Sequence, residues 1–207
     1  FDWLSQYFAN QGFAVLQPNF RGSAGYGEKW FQVNGFKSWR TAIGDVDDAG
    51  RWLVSQGIAD PSKLAIFGWS YGGYAALRGA QRDGTRYRCA ISYAGVSDLS
   101  AIMRYDRRFL NHSGRNDWLK EQAPDFAAVS PINYASQFST PVLILHGKKD
   151  MRVPYKQSRD MAEKLKAAGK NVTYIEQPEA DHYFTRAQDR LQFLKEMEAF
   201  LARYNPA

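Results

Sequence analysis

The chain has 207 residues, of which 44% are hydrophobic, 15% aromatic and 23% charged. This balance is typical of one folded domain and excludes disordered, collagen-like and repetitive fibrous proteins. The formal net charge is +6, but the basic residues are scattered among acidic ones, so we expect no nucleic-acid partner. No apolar run approaches the roughly 18–20 residues that cross a bilayer, and we expect no membrane span.

Helical and strand-like segments alternate along the chain, which predicts an α/β fold with a mostly parallel sheet flanked by helices. Apolar spacing predicts helices over residues 2–11, 43–56, from 71 onward, 154–168 and 184–204. Strand-like runs cover residues 13–17, 63–67, 89–93, 142–145 and 171–175. The stretch 98–135 is irregular, polar and aromatic, and we expect it to form a cap or rim over a site. No linker or repeat divides the chain, so residues 1–207 are treated as one domain.

The first residues lack an initiator methionine and a signal-type apolar core. We therefore expect Phe1 to be an internal residue of a longer protein. The single cysteine, Cys89, excludes an intrachain disulfide, and its strand-like surroundings predict a buried, inert thiol. One cysteine suits either the cytoplasm or the periplasm, and the sequence does not choose between them.

The strongest chemical signal is the segment 68–73, Gly-Trp-Ser-Tyr-Gly-Gly, which lies between a predicted strand and a predicted helix. A sharp strand-to-helix turn holds a serine hydroxyl out in a strained conformation, and flanking glycines let neighbouring backbone pass closely. The pattern predicts Ser70 as a nucleophile and the backbone N–H of Tyr71 as a donor to an oxyanion. A glycine-rich turn with a capping serine is the alternative.

A serine hydroxyl is a poor nucleophile at neutral pH until a base takes its proton. When a nucleophilic serine occupies such a strand-to-helix turn, the acid and then the histidine come later in the chain, each in a loop after a strand. Asp150 comes just after the predicted strand 142–145, and His182 is the one histidine beyond it. We therefore predict His182 as general base and Asp150 as the carboxylate that orients it. The other two histidines, His112 and His146, precede the acid.

Other carboxylates fit these roles less well. Asp160 falls inside a predicted helix, and Asp181 is too close in sequence to His182 to orient it. Asp45, Asp47 and Asp48 fall in the first turns of a predicted helix, where carboxylates favour the helix dipole. No histidine or further acid completes a metal shell there, so we predict no metal site. The serine chemistry requires no cofactor.

Five segments together resemble the catalytic domain of the prolyl oligopeptidase group of serine peptidases, which has the α/β-hydrolase fold. They are residues 19–27, 68–74, 130–131, 146–154 and 181–184. The first and fourth are most similar to acylaminoacyl-peptidases, whereas the second also resembles dipeptidyl peptidases. One departure is the pair Ala180 and Asp181, where relatives often have Glu-Gly before the histidine.

The resemblance implies a partner within the same polypeptide. Members of the family carry a β-propeller and the first strands of the sheet upstream of the position where this chain begins. One of those strands would lie between the strands at 13–17 and 63–67, and a nearby loop would supply a second oxyanion donor. We therefore expect the chain to lack the first strands of its sheet.

The resemblance also implies a pocket for the residue before the scissile bond. Its lining is expected to be Tyr71, Val96, Leu99, Ile102 and Val153. Because most of these side chains are aliphatic, we expect a medium apolar side chain or proline to be accepted. Helix packing is the alternative for Leu99 and Ile102.

The expected function is a serine peptidase that hydrolyses short peptides through an acyl-enzyme on Ser70. Two alternatives stay open, a carboxylesterase with the same triad and a non-catalytic hydrolase-fold interaction domain, because fold and triad do not choose between esters and amides. The sequence does not distinguish an exopeptidase from an endopeptidase.

Overall fold

A four-stranded parallel sheet forms the centre of the molecule, and its strands lie side by side in sequence order. The computed structural model describes residues 2–33, 39–109, 113–114, 117, 119–120, 123 and 125–207. The strands are β1 (Ala65–Trp69), β2 (Cys89–Tyr93), β3 (Val142–Gly147) and β4 (Val172–Gln177). All residues of β2 and β3 are buried, as expected for parallel strands covered on both faces.

Seven described α-helices surround the sheet. They are α1 (Trp3–Asn10), α2 (Trp39–Ser55), α3 (Tyr71–Arg82), α4 (Leu99–Asp106), α5 (Phe126–Val129), α6 (Lys156–Ala167) and α7 (Ala187–Tyr204). A π-helical turn covers Lys29–Val33, and a 3₁₀ segment covers Pro131–Gln137. The described part of the chain contains no helix long and apolar enough to cross a membrane.

Two apolar clusters hold the helices against the sheet, one on each face. On the first face, α3 and α6 contribute Leu77 and Met161 to a common core, which Phe138 joins from the residue just after the 3₁₀ segment. On the second face, α1 and α7 pack through residues such as Phe8 and Phe193. The predicted layered arrangement of helix, sheet and helix is thereby confirmed.

The carboxyl ends of the strands meet at one edge of the sheet. Trp69 is paired with Tyr93, Tyr93 with Leu145, and Gly147 with Gln177. Loops that leave this edge are brought together from distant parts of the sequence, which is where open α/β sheets place their sites. The fold therefore gathers the segments after residues 69, 147 and 177 in one place.

The predicted strand over residues 13–17 is wrong for this structure, because those residues pair with no described strand. Val15 and Leu16 are 43% and 38% exposed, although their apolar side chains favour strands. An extended segment becomes a strand only when a neighbour satisfies its backbone groups. Within the described residues, β1 is an edge strand, and nothing pairs with its outer side.

The stretch 98–135 is more regular than its composition suggested. Asp98 caps α4 by accepting a hydrogen bond of 2.9 Å from the backbone N–H of Ala101, which satisfies one of the free donors at a helix start. Leu99, Ile102 and Met103 lie on the buried face of α4. Helix packing was the alternative for Leu99 and Ile102, and both residues do lie on a buried helix face.

The lone cysteine lies in the middle of the sheet, fully buried in β2. Burial raises the pKa of the Cys89 thiol to about 12, so the reactive thiolate does not form at neutral pH. The prediction of an inert thiol is confirmed.

Candidate active site

Ser70 lies in the tight turn between β1 and α3 and has an unusual backbone conformation. Its φ and ψ angles are 60° and −117°, a region that costs a non-glycine residue energy. Two backbone hydrogen bonds hold it there: its N–H donates to Tyr93 at 2.9 Å, and its carbonyl accepts from Tyr74 at 3.1 Å. The turn therefore presents the serine hydroxyl at the carboxyl edge of the sheet.

The glycine two residues before the serine permits this turn. A Cβ atom at Gly68 would overlap the backbone carbonyl of Gly72 in the first turn of α3. Helix α3 can therefore begin this close to β1 only if position 68 has no side chain. The motif thus combines close backbone packing with a half-buried serine at the strand-to-helix turn.

Ser70, His182 and Asp150 form a continuous hydrogen-bonded series. Nε2 of His182 is 3.1 Å from Oγ of Ser70, and Nδ1 of His182 is 2.6 Å from Oδ2 of Asp150. Asp150 and His182 are only 4% and 7% exposed. The two residues lie 32 positions apart in the sequence, and the serine lies 112 positions from the histidine.

The loops after β3 and β4 are joined through their backbones, and this places Asp150 beside His182. The N–H groups of Lys148 and Lys149 donate to the carbonyls of Gln177 and Ala180 at 2.9 and 3.0 Å. Direct backbone hydrogen bonds leave little freedom between the two loops. The separation of acid and histidine is therefore fixed by the chain path as well as by their own hydrogen bond.

The Asp150 carboxylate is held in its ionised form. Its burial alone would raise its pKa, but hydrogen bonds from His146, His182 and the backbone of Val153 outweigh this effect. The pKa of Asp150 consequently lies well below its usual range. A buried anion next to Nδ1 is the arrangement that stabilises a histidine when it takes up a proton.

Phe184 anchors the loop that carries His182. This residue is buried, and its φ angle is 55°, an unfavourable value for a bulky residue. Its ring stacks on Tyr93 with centroids 4.1 Å apart and contacts Phe193 at 4.8 Å. Sequence reasoning assigned Phe184 to a family motif but gave it no role. The packing shows that it ties the histidine loop to β2 and α7.

Asp181 is one of the two residues at which the sequence departs from the motif that the resemblance implies. Its carboxylate accepts hydrogen bonds from the backbone N–H groups of Tyr183 and Thr185 at 3.2 and 3.0 Å, as well as from the Thr185 hydroxyl. Asp181 therefore closes the turn after β4 and does not compete with Asp150 for the histidine. The preceding residue, Ala180, is fully buried.

The backbone N–H of Tyr71 lies at the first position of α3, the end of a helix at which the dipole favours negative charge. Its side chain packs in an aromatic group, with ring centroids 5.5 Å from Phe20 and 5.6 Å from Tyr74. Phe20 belongs to a segment that Arg21 fixes to α2. Nε and Nη2 of Arg21 donate to the Asp45 carboxylate at distances of 2.5–3.1 Å.

Three of the five predicted pocket residues lie in or beside one apolar cluster. Leu99 is a buried member of this cluster, and Tyr71 and Val96 pack against it while partly exposed. Ile102 and Val153 are buried, with 5% and 6% exposure. The burial of Leu99 and Ile102 is compatible with helix packing, so their role in a pocket stays a prediction.

The remaining candidates have other partners. Asp160 pairs with Lys156 on α6 at 2.6 Å, and the Asp47 carboxylate accepts a hydrogen bond of 2.8 Å from Tyr87. His112 lies outside the described residues. Across the described ranges no three histidine, cysteine, aspartate or glutamate side chains cluster in a way that could hold a metal ion.

The comparisons with known sequences give a consistent result. Residues 1–206 match the Prolyl oligopeptidase family. The chain is 33% identical over 214 residues to dipeptidyl aminopeptidase BIII of Pseudoxanthomonas mexicana, which covers 96% of this chain and 30% of that enzyme. It is 28% identical over 207 residues to an acylamino-acid-releasing enzyme of Arabidopsis thaliana, which covers 96% of this chain and 27% of that enzyme.

A solved structure gives the same result for the fold. A puromycin-hydrolyzing peptidase of Mycobacterium tuberculosis aligns with a TM-score of 0.81 at 28% identity, over 90% of this chain and 29% of that chain. The predicted α/β-hydrolase fold is thereby confirmed. The chain spans about 30% of the length of the relatives it matches.

Proposed function

The chain belongs to the prolyl oligopeptidase family of serine peptidases, and on this premise we propose that it hydrolyses short peptides through an acyl-enzyme on Ser70. The observation that carries the proposal is the hydrogen-bonded series from Ser70 Oγ through His182 to Asp150. A serine hydroxyl at 3.1 Å from an imidazole nitrogen has the base that it needs within reach.

In the first half of the reaction, Ser70 Oγ attacks the scissile carbonyl carbon while its proton passes to Nε2 of His182. Asp150 stabilises the resulting imidazolium and keeps Nδ1 protonated in the resting state. The tetrahedral intermediate then expels the amine, which takes the proton from Nε2. The new ester bond on Ser70 stores the acyl group.

In the second half, water replaces the amine. His182 takes a proton from water as the oxygen attacks the ester carbon, and the proton returns to Ser70 Oγ as the carbon–oxygen bond breaks. The products are a free carboxylate and the original enzyme. No metal or redox group enters either half.

The negative oxygen of the intermediates needs donors that are already in place. The proposed donor is the backbone N–H of Tyr71, at the first position of α3. A helix start adds a favourable dipole for this charge. We place the second donor on sequence upstream of residue 1.

We propose that the partner of this chain is an upstream part of the same polypeptide, comprising a propeller and further strands of the sheet. Two observations support this. The relatives are about three times longer than the matched segment, and within the described residues the outer side of β1 has no neighbour. A further strand there would satisfy the backbone groups of β1 and supply a pairing edge for residues 13–17.

The proposed pocket for the residue before the scissile bond is formed by Tyr71, Val96, Leu99, Ile102 and Val153. Four of these side chains are aliphatic, so the pocket would accept a medium apolar side chain or proline. The partial exposure of Tyr71 and Val96 makes them the members that a substrate would touch first.

Covalent labelling with a fluorophosphonate probe tests the nucleophile. The probe is applied to the full-length protein and to residues 1–207 alone, each beside its Ser70→Ala variant. We expect labelling of the full-length protein that disappears in Ser70→Ala. Absence of labelling in both proteins would contradict the acyl-enzyme and favour a non-catalytic domain.

Substrate class is tested separately on the full-length protein. Peptide nitroanilides with proline, leucine or aspartate before the scissile bond are compared with a simple nitrophenyl ester. We expect the proline and leucine peptides to be cleaved and the aspartate peptide to be cleaved much more slowly. Turnover of the ester without turnover of any peptide would point to a carboxylesterase.

A further inference from the structure

His146, which lies in β3 four residues before Asp150, is a second histidine in contact with that carboxylate. Its side chain is wholly buried. Nε2 of His146 is 3.2 Å from Oδ2 of Asp150 and 2.9 Å from the carbonyl oxygen of Val153. On the other side of the ring, Nδ1 is 2.7 Å from the hydroxyl of Ser158 on α6. The position of His146 in the sequence excludes it as the base, but not as a support for the acid.

The neighbours of the ring fix which nitrogen carries the proton. A backbone carbonyl and a carboxylate only accept hydrogen bonds, so Nε2 between them must be the protonated nitrogen. Nδ1 can then accept a hydrogen bond from the Ser158 hydroxyl. With this tautomer, the N–H of His146 is shared between Val153 and Asp150.

The Asp150 carboxylate therefore receives four donors, which is close to its full capacity. Oδ2 accepts from His182 and His146, while Oδ1 accepts from the backbone N–H groups of Arg152 and Val153, each at 2.8 Å. The backbone donors fix one oxygen. His146 and His182 both donate to the other oxygen, so donors hold both ends of the carboxylate.

We propose that His146 is a positioning residue, which holds the Asp150 carboxylate in the orientation that His182 requires and limits how strongly that carboxylate attracts the His182 proton. This inference rests on the proposed function, because it assigns a task relative to the Ser70 nucleophile. The hydrogen bonds of His146 go to Ser158, Asp150 and Val153 and not to Ser70 or His182, so it acts through Asp150.

Removing His146 has two consequences that can be measured. Asp150 loses one of four donors and gains rotational freedom, so the base is held less well and acylation slows. A carboxylate with fewer donors also attracts the remaining proton more strongly, which favours the imidazolium of His182. The acid limb of the pH–rate profile therefore moves to higher pH. Tyr93 also interacts electrostatically with Asp150, but burial raises the pKa of Tyr93, so that it stays neutral.

The test compares three variants of the full-length protein. His146→Leu removes the donor, His146→Gln keeps an N–H near the position of Nε2, and Ser158→Ala removes only the donor to Nδ1. Ile144→Val, a buried position in the same strand that belongs to a core cluster without the catalytic residues, is the control for a small packing defect. Each protein is assayed for its fluorophosphonate labelling rate and for the pH dependence of kcat/KM.

We expect His146→Leu to label about 10- to 100-fold more slowly, as for other residues that orient a catalytic group, with the acid limb displaced upward by about one pH unit. His146→Gln should restore most of the labelling rate and return the acid limb of the pH–rate profile to its wild-type position. Ser158→Ala should show a smaller loss in the same direction, and Ile144→Val should match the wild type. If His146→Leu does not fold, Ser158→Ala and His146→Gln still decide the question.

The proposal is overturned if the His146 and Ser158 variants label at the wild-type rate with an unchanged limb, or if His146→Gln is no better than His146→Leu. Failure of the proposed function has a different result, since the wild-type protein itself would then not label at Ser70.

Discussion

The backbone at Gly147 approaches the carbonyl group of Ala180 so closely that a Cβ atom at position 147 would overlap it. Gly147 ends β3, three residues before Asp150, and Ala180 lies two residues before His182. The end of β3 and the histidine loop are therefore in direct backbone contact. This contact sets the distance from which the acid and the histidine reach each other.

Gly147→Ala tests the contact. The added methyl group forces the loops apart, and a misplacement of about 1 Å can cost about 100-fold in rate. We expect fluorophosphonate labelling to slow by about that factor, with a loss of stability of about 1–3 kcal/mol. Gly44→Ala is the matched control, because a Cβ atom there meets nothing within 4 Å. Equal labelling by both variants would show that the loops adjust without moving His182.

Phe184→Ala tests the anchor of the histidine loop. Deleting a buried phenylalanine costs about 3–5 kcal/mol of stability, so thermal unfolding must be measured beside activity. Because Phe184 is two residues from His182 and stacks on Tyr93, we expect the folded variant to label more than about tenfold more slowly.

The control for this prediction is Phe138→Ala. Phe138 is equally buried but belongs to the core cluster on the other face of the sheet. It should lose similar stability, while its folded fraction labels at the wild-type rate. A similar slowing in both variants would mean that activity follows general stability and not the position of the loop.

The sequence predicted the parts of the fold and site that depend on local pattern and chain order. Strand β2 has the predicted bounds, Cys89–Tyr93, because a continuous apolar run in a fully covered sheet is a strong signal. The order of serine, acid and histidine selected Ser70, Asp150 and His182, and the structure brings the three together.

What the sequence did not predict depends on how the chain folds back on itself and on which segments pair. Residues 13–17 have strand-forming side chains, but a strand also needs a pairing edge, and composition does not reveal one. His146 was rejected as a base by its position, whereas its contact with Asp150 appears only when the loop after β3 folds back. Phe184 has a positive φ angle that no local rule assigns to a phenylalanine.

Arg21→Lys tests how the segment around Phe20 is held beside Tyr71. Arg21 binds Asp45 with two side-chain nitrogens and its own backbone N–H, and a lysine cannot reproduce this two-pronged geometry. Since Phe20 packs on Tyr71, a proposed pocket residue, we expect KM for a peptide nitroanilide to rise about three- to tenfold with kcat nearly unchanged.

Arg51→Lys serves as the control for this substitution. It changes an arginine of α2, the helix that carries Asp45, and the ion pair of Arg51 with Asp48 is exposed and contributes little to stability. KM should stay at the wild-type value in Arg51→Lys. If Arg21→Lys instead lowers kcat and leaves KM unchanged, the segment around Phe20 affects the reacting groups and not substrate binding.

Asp150→Asn tests the ionisation of the buried acid through the pH dependence of stability. The pKa of Asp150 is lowered from its ordinary value of 3.8, because the hydrogen bonds from His146 and His182 and the backbone N–H of Val153 outweigh the effect of burial. A carboxylate of this kind contributes stability that is fully present above pH 3.8 and is lost as the pH falls toward its folded-state pKa. Between pH 6 and pH 3 the wild-type protein should therefore lose about 1 kcal/mol more than Asp150→Asn.

Urea unfolding followed by circular dichroism at both pH values measures this difference in stability. The control is Ser70→Ala, which leaves Asp150 and its donors in place and should lose as much stability as the wild-type protein. If Asp150→Asn loses as much stability as Ser70→Ala, the donors do not stabilise the ionised carboxylate in the folded protein. The assignment of Asp150 as the anionic partner of His182 then fails.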